Sequence, residues 1–122
     1  MCGIIGYSGS RNARTVVLDG LKTLEYRGYD SAGAAFSAED ITVFKTGGRV
    51  SDLEKITPNI VAHAGIGHTR WATHGAPSAK NAHPHLSFDG RFAVVHNGVI
   101  TNCDELKLSL IRRGIRFVSD TD

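Results

Sequence analysis

The second residue of the chain, Cys2, directly follows the initiator methionine and can become the N-terminal residue once Met1 is removed. Removal is sterically easy before a small residue, and it leaves one residue with both a thiol and a free α-amine. Model α-amines have a pKa near ~8, so an appreciable fraction is neutral base at neutral pH. Free thiols are only a few per cent ionised there, and a base on the same residue would activate them. The pattern predicts a nucleophile at Cys2; a small packed residue at a chain end is the alternative.

A second cysteine, Cys103, follows Asn102 in the first turn of a predicted helix, where the helix dipole favours a thiolate. No other reactive residue types are arranged around it in the sequence, which favours an inert thiol. Redox sensing through Cys103 is the alternative.

The tripeptide His96-Asn97-Gly98 ends a predicted strand. A side-chain amide beside a glycine with an unobstructed N–H can supply two hydrogen-bond donors to one oxygen, as an oxyanion hole does. Asn-Gly is also the commonest dipeptide of tight turns, so a turn is the alternative interpretation.

The segment Arg70-Trp71-Ala72-Thr73-His74-Gly75 places a cation, an aromatic ring and two hydrogen-bonding side chains at the entrance of a long loop. Arg70 could bind a carboxylate with two parallel hydrogen bonds, and Trp71 could cover a site. Stacking of the arginine on a surface tryptophan is the alternative. Asp122 could supply the opposite charge for an ammonium group. Together these residues suit an α-amino acid whose side-chain carbonyl is presented to Cys2.

Six histidines raise the possibility of a metal site, but their spacing does not support it. No cysteine pairs with them at zinc spacing, and there is no His-Glu-x-x-His helix. Hydrogen bonding and loop shaping are favoured for them. The glycine pairs and triplets, such as Gly65 and Gly67, match neither a P-loop nor a complete dinucleotide fingerprint, so we expect close packing between strands there.

Composition excludes several classes of protein. The chain has 122 residues, of which 41% are hydrophobic and 21% charged, as in one globular domain. A net charge of +2 is too small to indicate a nucleic-acid or membrane partner, and the cluster Arg112, Arg113 and Arg116 is typical of a solvated helix end. No apolar run approaches the ~20 residues of a membrane span, and the first residues lack a signal-peptide pattern. Two cysteines cannot build a disulfide framework and suit a reducing cytosol.

Hydrophobic periodicity predicts a mixed α+β or layered α/β domain rather than a parallel βαβ protein. Predicted strands cover residues 2–7, 34–37, 41–46, 65–71, 92–96 and 115–118, and a long loop covers 72–87. The first helix is capped by Ser10 and ends at Gly28, and a short second helix ends before Pro58. A third helix opens with a capping box of Asn102 and Glu105 and ends at Gly114. Because the sequence stops directly after a strand, we expect it to be the front part of a longer protein.

Six motifs resemble, in order, those of the class-II glutamine amidotransferases. They are Met-Cys-Gly-Ile-Ile-Gly at 1–6, Leu-Glu-Tyr-Arg-Gly-Tyr-Asp-Ser-Ala-Gly at 24–33, Gly-His-Thr-Arg-Trp-Ala-Thr-His-Gly at 67–75, Asn-Ala-His-Pro-His at 81–85, His-Asn-Gly at 96–98 and Ser-Asp-Thr-Asp at 119–122. Within the class, the chain is most similar to members that aminate fructose 6-phosphate. The amidophosphoribosyltransferases share the skeleton but typically carry His-Arg-Gly-Gln-Glu-Ser-Ala-Gly at the position of residues 26–33, and Tyr at that of Trp71.

The resemblance implies a four-layer αββα N-terminal-nucleophile hydrolase sandwich, of which residues 1–122 supply only the first half. They would form the N-terminal part of a glutaminase domain, without the isomerase domain.

The resemblance also implies roles for individual residues. Cys2 would be the nucleophile with its own α-amine as base, and the Asn97 side chain and Gly98 N–H the oxyanion hole. Arg70, helped by Thr73 and His74, would bind the glutamine carboxylate, and Asp122 with the Gly98 carbonyl the ammonium group. Trp71 would gate ammonia, and Arg27 would lie near the nucleophile. The site residues implied by the resemblance are Cys2, Arg27, Arg70, Trp71, Thr73, His74, Asn97, Gly98 and Asp122.

The implied reaction is hydrolysis of the glutamine side-chain amide through a Cys thioester. The isomerase domain would use the ammonia to convert fructose 6-phosphate to glucosamine 6-phosphate. No metal or organic cofactor, nucleic acid or membrane is expected, and the full-length protein would be a cytoplasmic homodimer. A related amidotransferase with another acceptor, or a non-catalytic glutamine-binding fragment, are the alternatives.

Overall fold

The computed structural model describes residues 1–72 and 75–122. Its helices and strands are, in chain order, β1 (Gly3–Ser8), α1 (Ala13–Leu24), a short 3-10 helix (Glu25–Arg27), β2 (Ser31–Ser37), β3 (Ile41–Thr46), α2 (Val50–Ile56), β4 (Ala64–Arg70), β5 (His85–Leu86), β6 (Ala93–Val94) and α3 (Cys103–Arg112). Within the described residues, no helix is long and apolar enough to cross a membrane.

Four strands form one antiparallel sheet in the order β1-β4-β2-β3. The pairing of β1 with β4 sets Gly3 opposite Thr69, and that of β2 with β4 sets Gly33 opposite His68. β5 and β6 form a separate antiparallel pair. With antiparallel pairing throughout the described sheets and helices packed beside them, the predicted α+β class is confirmed.

One face of the large sheet carries α1 and α2, and the hydrophobic core lies between them. The buried core side chains are Ala13, Val17, Leu18, Leu21, Ala32, Ala34, Phe36, Val50, Leu53 and Ala62. Gly67 lets α1 approach the sheet, whereas the sequence analysis predicts close packing between strands at this glycine. A Cβ atom on Gly67 would lie 2.7 Å from Val17 Cγ1, and one on Gly65 would lie 2.8 Å from the Phe36 ring. A side chain at Gly67 would push α1 away from β4, and one at Gly65 would collide with the Phe36 ring of β2.

The opposite face of the sheet supports the loops that follow β4. Because side chains alternate along a strand, His68 and Arg70 point away from the helices when Gly67 points toward them. The backbone of His83 crosses directly over Gly33 of β2, so closely that a Cβ atom there would overlap the His83 carbonyl oxygen. This close approach brings residues 81–85 onto the same face as His68.

Two predicted helix caps are wrong. The first helix is capped by Asn12 and not by Ser10, because the Asn12 side chain accepts a hydrogen bond from Arg14 N–H at 3.1 Å. Asn102 precedes α3 but makes no capping hydrogen bond with its side chain. Its φ of −107° and ψ of 30° depart from the extended backbone that aims a capping side chain at the first turn.

The strands predicted at the end of the chain are also wrong in extent. Of residues 92–96 only Ala93 and Val94 pair, and residues 115–118 form no strand in the described structure. Ile115 instead donates its N–H back to the Leu110 carbonyl, 3.1 Å away, after the turn at Gly114 with its φ of +85°. Val118 is exposed, so its apolar character is not used for pairing. Strand propensity depends on a neighbouring strand, which this segment lacks among the described residues.

Candidate active site

A cavity of about 380 Å³ lies where β1 begins and β4 ends. Its lining residues come from both ends of the chain: Met1, Cys2, His68, Arg70, Trp71, His83, His96, Asn97, Gly98, Val99, Thr121 and Asp122. Antiparallel pairing explains the meeting of the two strands, because the N-terminal end of β1 lies beside the C-terminal end of β4.

The thiol of Cys2 is half-buried at this junction. Its Sγ accepts a hydrogen bond from Trp71 N–H at 3.2 Å and lies 3.6 Å from the Trp71 carbonyl oxygen, an acceptor for the S–H. Met1 precedes it on the rim with 78% of its surface exposed, so removal of Met1 would place a free α-amine at the cavity. Cys103 does not line this cavity.

Asn97 and Gly98 face Cys2 across the cavity. The Asn97 Nδ2 donates to the Cys2 carbonyl oxygen at 3.1 Å, and the Asn97 Oδ1 lies 2.7 Å from the Nε2 of His68. Gly98 has a φ of +155°, and a Cβ atom there would lie 2.9 Å from the His96 ring. A side chain at Gly98 would therefore be strained and would collide with His96.

The guanidinium of Arg70 is nearly fully buried, with 4% of the residue exposed. Nη1 donates to the Ala76 carbonyl and Nη2 to the Gly75 carbonyl, each at 3.3 Å. These bonds fix the cation against the cavity wall, since both carbonyls belong to the loop that follows β4.

Asp122 also lines the cavity. Its Oδ2 accepts a hydrogen bond from Ile100 N–H at 2.6 Å. Asn81 links the nearby Asp120 to the loop that follows β4. Its Oδ1 accepts a hydrogen bond from Asp120 N–H at 2.9 Å, and its Nδ2 donates to the Ala76 carbonyl at 3.1 Å. Asn81 thus connects the loop that holds Arg70 to the segment that carries Asp122.

Three histidines form a stacked group beneath the cavity. The rings of His68 and His83 stack with centroids 4.5 Å apart, and His85 meets His83 edge-on at 4.6 Å. Burial, together with neighbouring cationic groups, lowers the pKa of His83 to about 3 and that of His85 to about 4. Burial also lowers the pKa of His68. The group is therefore neutral near pH 7, and the predicted hydrogen-bonding role of the histidines agrees with their contacts.

The remaining predicted site residues have different positions. Trp71 lines the cavity, and its ring packs edge-to-face on Tyr29 with centroids 5.5 Å apart. Arg27 does not line the cavity, but its Nη2 lies 3.9 Å from the Met1 sulfur. Thr73 and His74 lie outside the described residues.

Two polar residues that the sequence analysis did not single out help to build the site. His68 contacts Asn97, and strand alternation with Arg70 was the signal that could have placed it on this face. Asn81 opens the motif at residues 81–85, but its role was not predicted because its partner Asp120 is far away in sequence. Among residues 1–72 and 75–122, no group of three or more His, Cys, Asp or Glu side chains is placed to hold a metal ion.

The cavity thus combines a thiol, an amide donor, a buried cation and a carboxylate. The thiol can attack a carbonyl carbon, and the amide can donate to the oxygen of that carbonyl. Opposite charges in one cavity can orient a zwitterion. This arrangement suits acyl transfer from an amino acid.

Comparisons with known proteins agree with this chemistry. No protein-family model matches the chain. Over its whole length the chain is 58% identical to glutamine–fructose-6-phosphate aminotransferase [isomerizing] of Symbiobacterium thermophilum, and 56% identical to the protein of the same name from Geobacillus kaustophilus. It covers 20% of each, so the chain spans about a fifth of the length of these curated relatives. The solved structure of glutamine phosphoribosylpyrophosphate amidotransferase from B. subtilis, complexed with ADP and GMP, matches the whole chain with a TM-score of 0.82 at 26% identity, and the match covers 27% of that structure.

Proposed function

We propose that this chain belongs to the class-II glutamine amidotransferases and carries the glutamine-hydrolysing site of an enzyme that aminates fructose 6-phosphate. Residues 1–122 would be part of the glutaminase domain. Sugar isomerisation would belong to sequence that the relatives have beyond the matched fifth of their length.

One observation carries the proposal: Cys2, Arg70, Asn97, Gly98 and Asp122 line a single cavity. They come from four separate stretches of sequence, and two of them lie at nearly opposite ends of the chain. Hydrophobic packing alone does not require a thiol, a buried cation and a carboxylate at one place. A reaction on an amino acid does.

The first chemical step forms a thioester. The α-amine of processed Cys2 takes the thiol proton, directly or through one water, and the sulfur bonds to the amide carbon of the glutamine side chain. The negative charge that develops on the amide oxygen is stabilised by the Asn97 Nδ2 and the Gly98 N–H. The carbon–nitrogen bond then breaks, the ammonium of Cys2 returns its proton to the departing nitrogen, and ammonia leaves.

The second step releases glutamate. Water adds to the thioester carbon while the free α-amine accepts its proton, and the same two donors stabilise the second oxyanion. The carbon–sulfur bond breaks, the sulfur regains a proton, and the enzyme returns to its starting state. No redox change occurs in either step.

The charged residues of the cavity would orient the substrate. Arg70, with Thr73 and His74, would bind the α-carboxylate of glutamine, and Asp122 with the Gly98 carbonyl would bind the ammonium group. Trp71 at the rim would control passage of ammonia. Arg27, whose Nη2 lies 3.9 Å from the Met1 sulfur, would lie near the nucleophile.

Fructose 6-phosphate is the proposed acceptor because the relatives at 56–58% identity carry that substrate in their names, whereas the amidotransferase of phosphoribosylpyrophosphate is 26% identical. We also propose a homodimeric full-length enzyme in the cytoplasm, where the two unpaired cysteines Cys2 and Cys103 would stay reduced.

The free α-amine provides the test of the catalytic proposal. Two forms of the complete protein are compared. One carries an extra residue before Cys2, and in the other a removable tag has been cleaved so that Cys2 is the first residue. Glutamate formation is measured for both. We expect activity at least 100-fold lower while the amine is blocked, since general-base catalysis typically contributes 10²–10⁴-fold. Undiminished glutamate formation with the extra residue in place would refute the mechanism.

The acceptor is tested separately on the same cleaved protein. Ammonia transfer is measured with fructose 6-phosphate and with phosphoribosylpyrophosphate, each in the presence of glutamine. Amino sugar formed only from fructose 6-phosphate supports the proposal, and product formed only from the other acceptor contradicts it. Glutamine binding in calorimetry without any glutamate release would instead identify a binding module.

A further inference from the structure

His68 is a buried side chain at the back of the cavity, with 1% of the residue exposed. It lies on β4 between Ile4 and the side-chain-free Gly33, and Gly33 leaves room for the ring. Its Nε2 is 2.7 Å from the Oδ1 of Asn97, which itself sits in an exposed loop. An exposed amide therefore has a rigid, buried partner.

The hydrogen bond that Asn97 makes with Cys2 determines which end of the Asn97 amide is oxygen and which is nitrogen. The atom of Asn97 that faces Cys2 lies 3.1 Å from a backbone carbonyl oxygen, which can only accept a hydrogen bond. That atom must be Nδ2. The other end of the amide is then Oδ1, an acceptor, so the His68 Nε2 carries a hydrogen and donates it.

Packing fixes the orientation of the His68 ring. His83 stacks on it with an interplanar angle of 28°, and the Nδ1 of His83 accepts a hydrogen bond from His96 N–H at 3.4 Å. The Nδ1 of His68 is buried and has no hydrogen-bond partner among the described residues. A proton there would leave a buried charge unpartnered, so His68 is neutral and its only hydrogen is the one aimed at Asn97.

We infer that His68 is a positioning residue for the oxyanion site: its Nε2–H holds the Asn97 amide with Nδ2, and not Oδ1, directed at Cys2. The inference rests on the proposed function. Without this donor the exposed amide can rotate, and its oxygen would then face the developing oxyanion and repel it. His68 acts through Asn97 and takes no proton from the substrate.

Two amide substitutions separate this role from a structural one. Both variants are made in the complete protein with processed Cys2. In His68→Gln the side-chain amide N–H can reach the position of the histidine Nε2 and donate to Asn97, whereas the shorter side chain of His68→Asn cannot reach it. We expect His68→Asn to lower kcat at least tenfold with the KM for glutamine changed less than threefold, and His68→Gln to retain most of kcat. Loss of an oxyanion donor itself typically costs 10²–10³-fold in kcat, which sets the upper limit. The exposed His63 supplies the matched control, because His63→Gln should leave kcat unchanged.

Coupling to Asn97 is the decisive measurement. If His68 acts through Asn97, then adding His68→Asn to Asn97→Ala should change kcat by less than threefold beyond Asn97→Ala alone. Equal kcat for His68→Asn and the unmodified protein overturns the inference, and so does a full additive loss in the double variant. An acidic limb of the pH profile that disappears in His68→Gln also overturns it, since it would assign proton transfer to His68. If Asn97→Ala itself retains full glutaminase activity, the proposed function fails first.

Discussion

Asn81 connects the loop that holds Arg70 to the segment that carries Asp122. Asn81→Ala should therefore weaken glutamine binding more than it slows the chemical steps. The Asn81 side chain accepts from Asp120 N–H at 2.9 Å and donates to the Ala76 carbonyl at 3.1 Å, and 1% of the residue is exposed. The Ala76 carbonyl in turn accepts a hydrogen bond from the Arg70 guanidinium, and Asp120 is two residues from Asp122. Asn81→Ala breaks both connections, while the Ala76 carbonyl keeps its hydrogen bond from Arg70.

The size of the effect follows from those two bonds. Each neutral hydrogen bond contributes about 1 kcal/mol, so about 2 kcal/mol of preorganisation is lost from the free enzyme. If binding must restore that order, about 2 kcal/mol corresponds to about a 30-fold rise in the KM for glutamine. Because neither bond touches the thiol or the oxyanion donors, kcat should change less than about threefold.

The assay is steady-state glutamate formation by the complete protein, with Asn59→Ala as the control at an exposed asparagine. Thermal unfolding of both variants shows whether each protein is folded at the assay temperature. A variant with unchanged KM and a strongly reduced kcat would refute the reasoning, because it would place the effect of Asn81 on chemistry.

Two further predictions concern stability of the complete protein. Gly67→Ala should lower the free energy of unfolding, measured in urea, by about 1–3 kcal/mol, because its Cβ would lie 2.7 Å from Val17. Gly6→Ala is the control: its Cβ would lie 3.9 Å from its nearest neighbour, so the free energy of unfolding should change by less than about 0.5 kcal/mol. Equal losses in the two variants would contradict the packing argument. Burial lowers the pKa of His83 to about 3, so its neutral form contributes full stability above pH ~6.5, the range of an unfolded histidine, and the contribution is lost as the pH falls. His83→Asn should therefore reduce the slope of unfolding free energy between pH 6 and 4 by up to about 1.4 kcal/mol per pH unit, and an unchanged slope would count against this assignment.

Local patterns in the sequence predict the helices and the strands at 34–37 and 41–46 well, because their signals repeat within a few residues. The four-residue spacing of Ala13, Val17 and Leu21 appears in the structure as the buried face of α1. The wrong predictions concern features that depend on neighbours. Ser10 and Asn12 are both good capping residues, and Asn12 is selected because its amide also bonds to the distant Ile60 carbonyl at 3.0 Å.

The candidate site was predictable where residue type alone indicates chemistry. A cysteine after Met1, an Asn-Gly pair and an arginine at the entrance of a long loop each suggest a role, and the cavity brings Cys2, Asn97 and Arg70 together. The supporting contacts of His68 and Asn81 were not predictable, since their partners lie 29 and 39 residues away and depend on the sheet register.

Gly3 links the folding of β1 to the position of the reacting sulfur. Among the described residues β1 is an edge strand that pairs with β4, and a slip of one residue would turn every side chain of β1 to the wrong face. A Cβ atom at Gly3 would lie 2.8 Å from both Leu24 and Thr69, so a slipped strand would drive Cys2 or Ile4 into that space. The small size of Gly3 therefore favours the one register that directs the sulfur of Cys2 to the face of the sheet that carries His68 and Arg70.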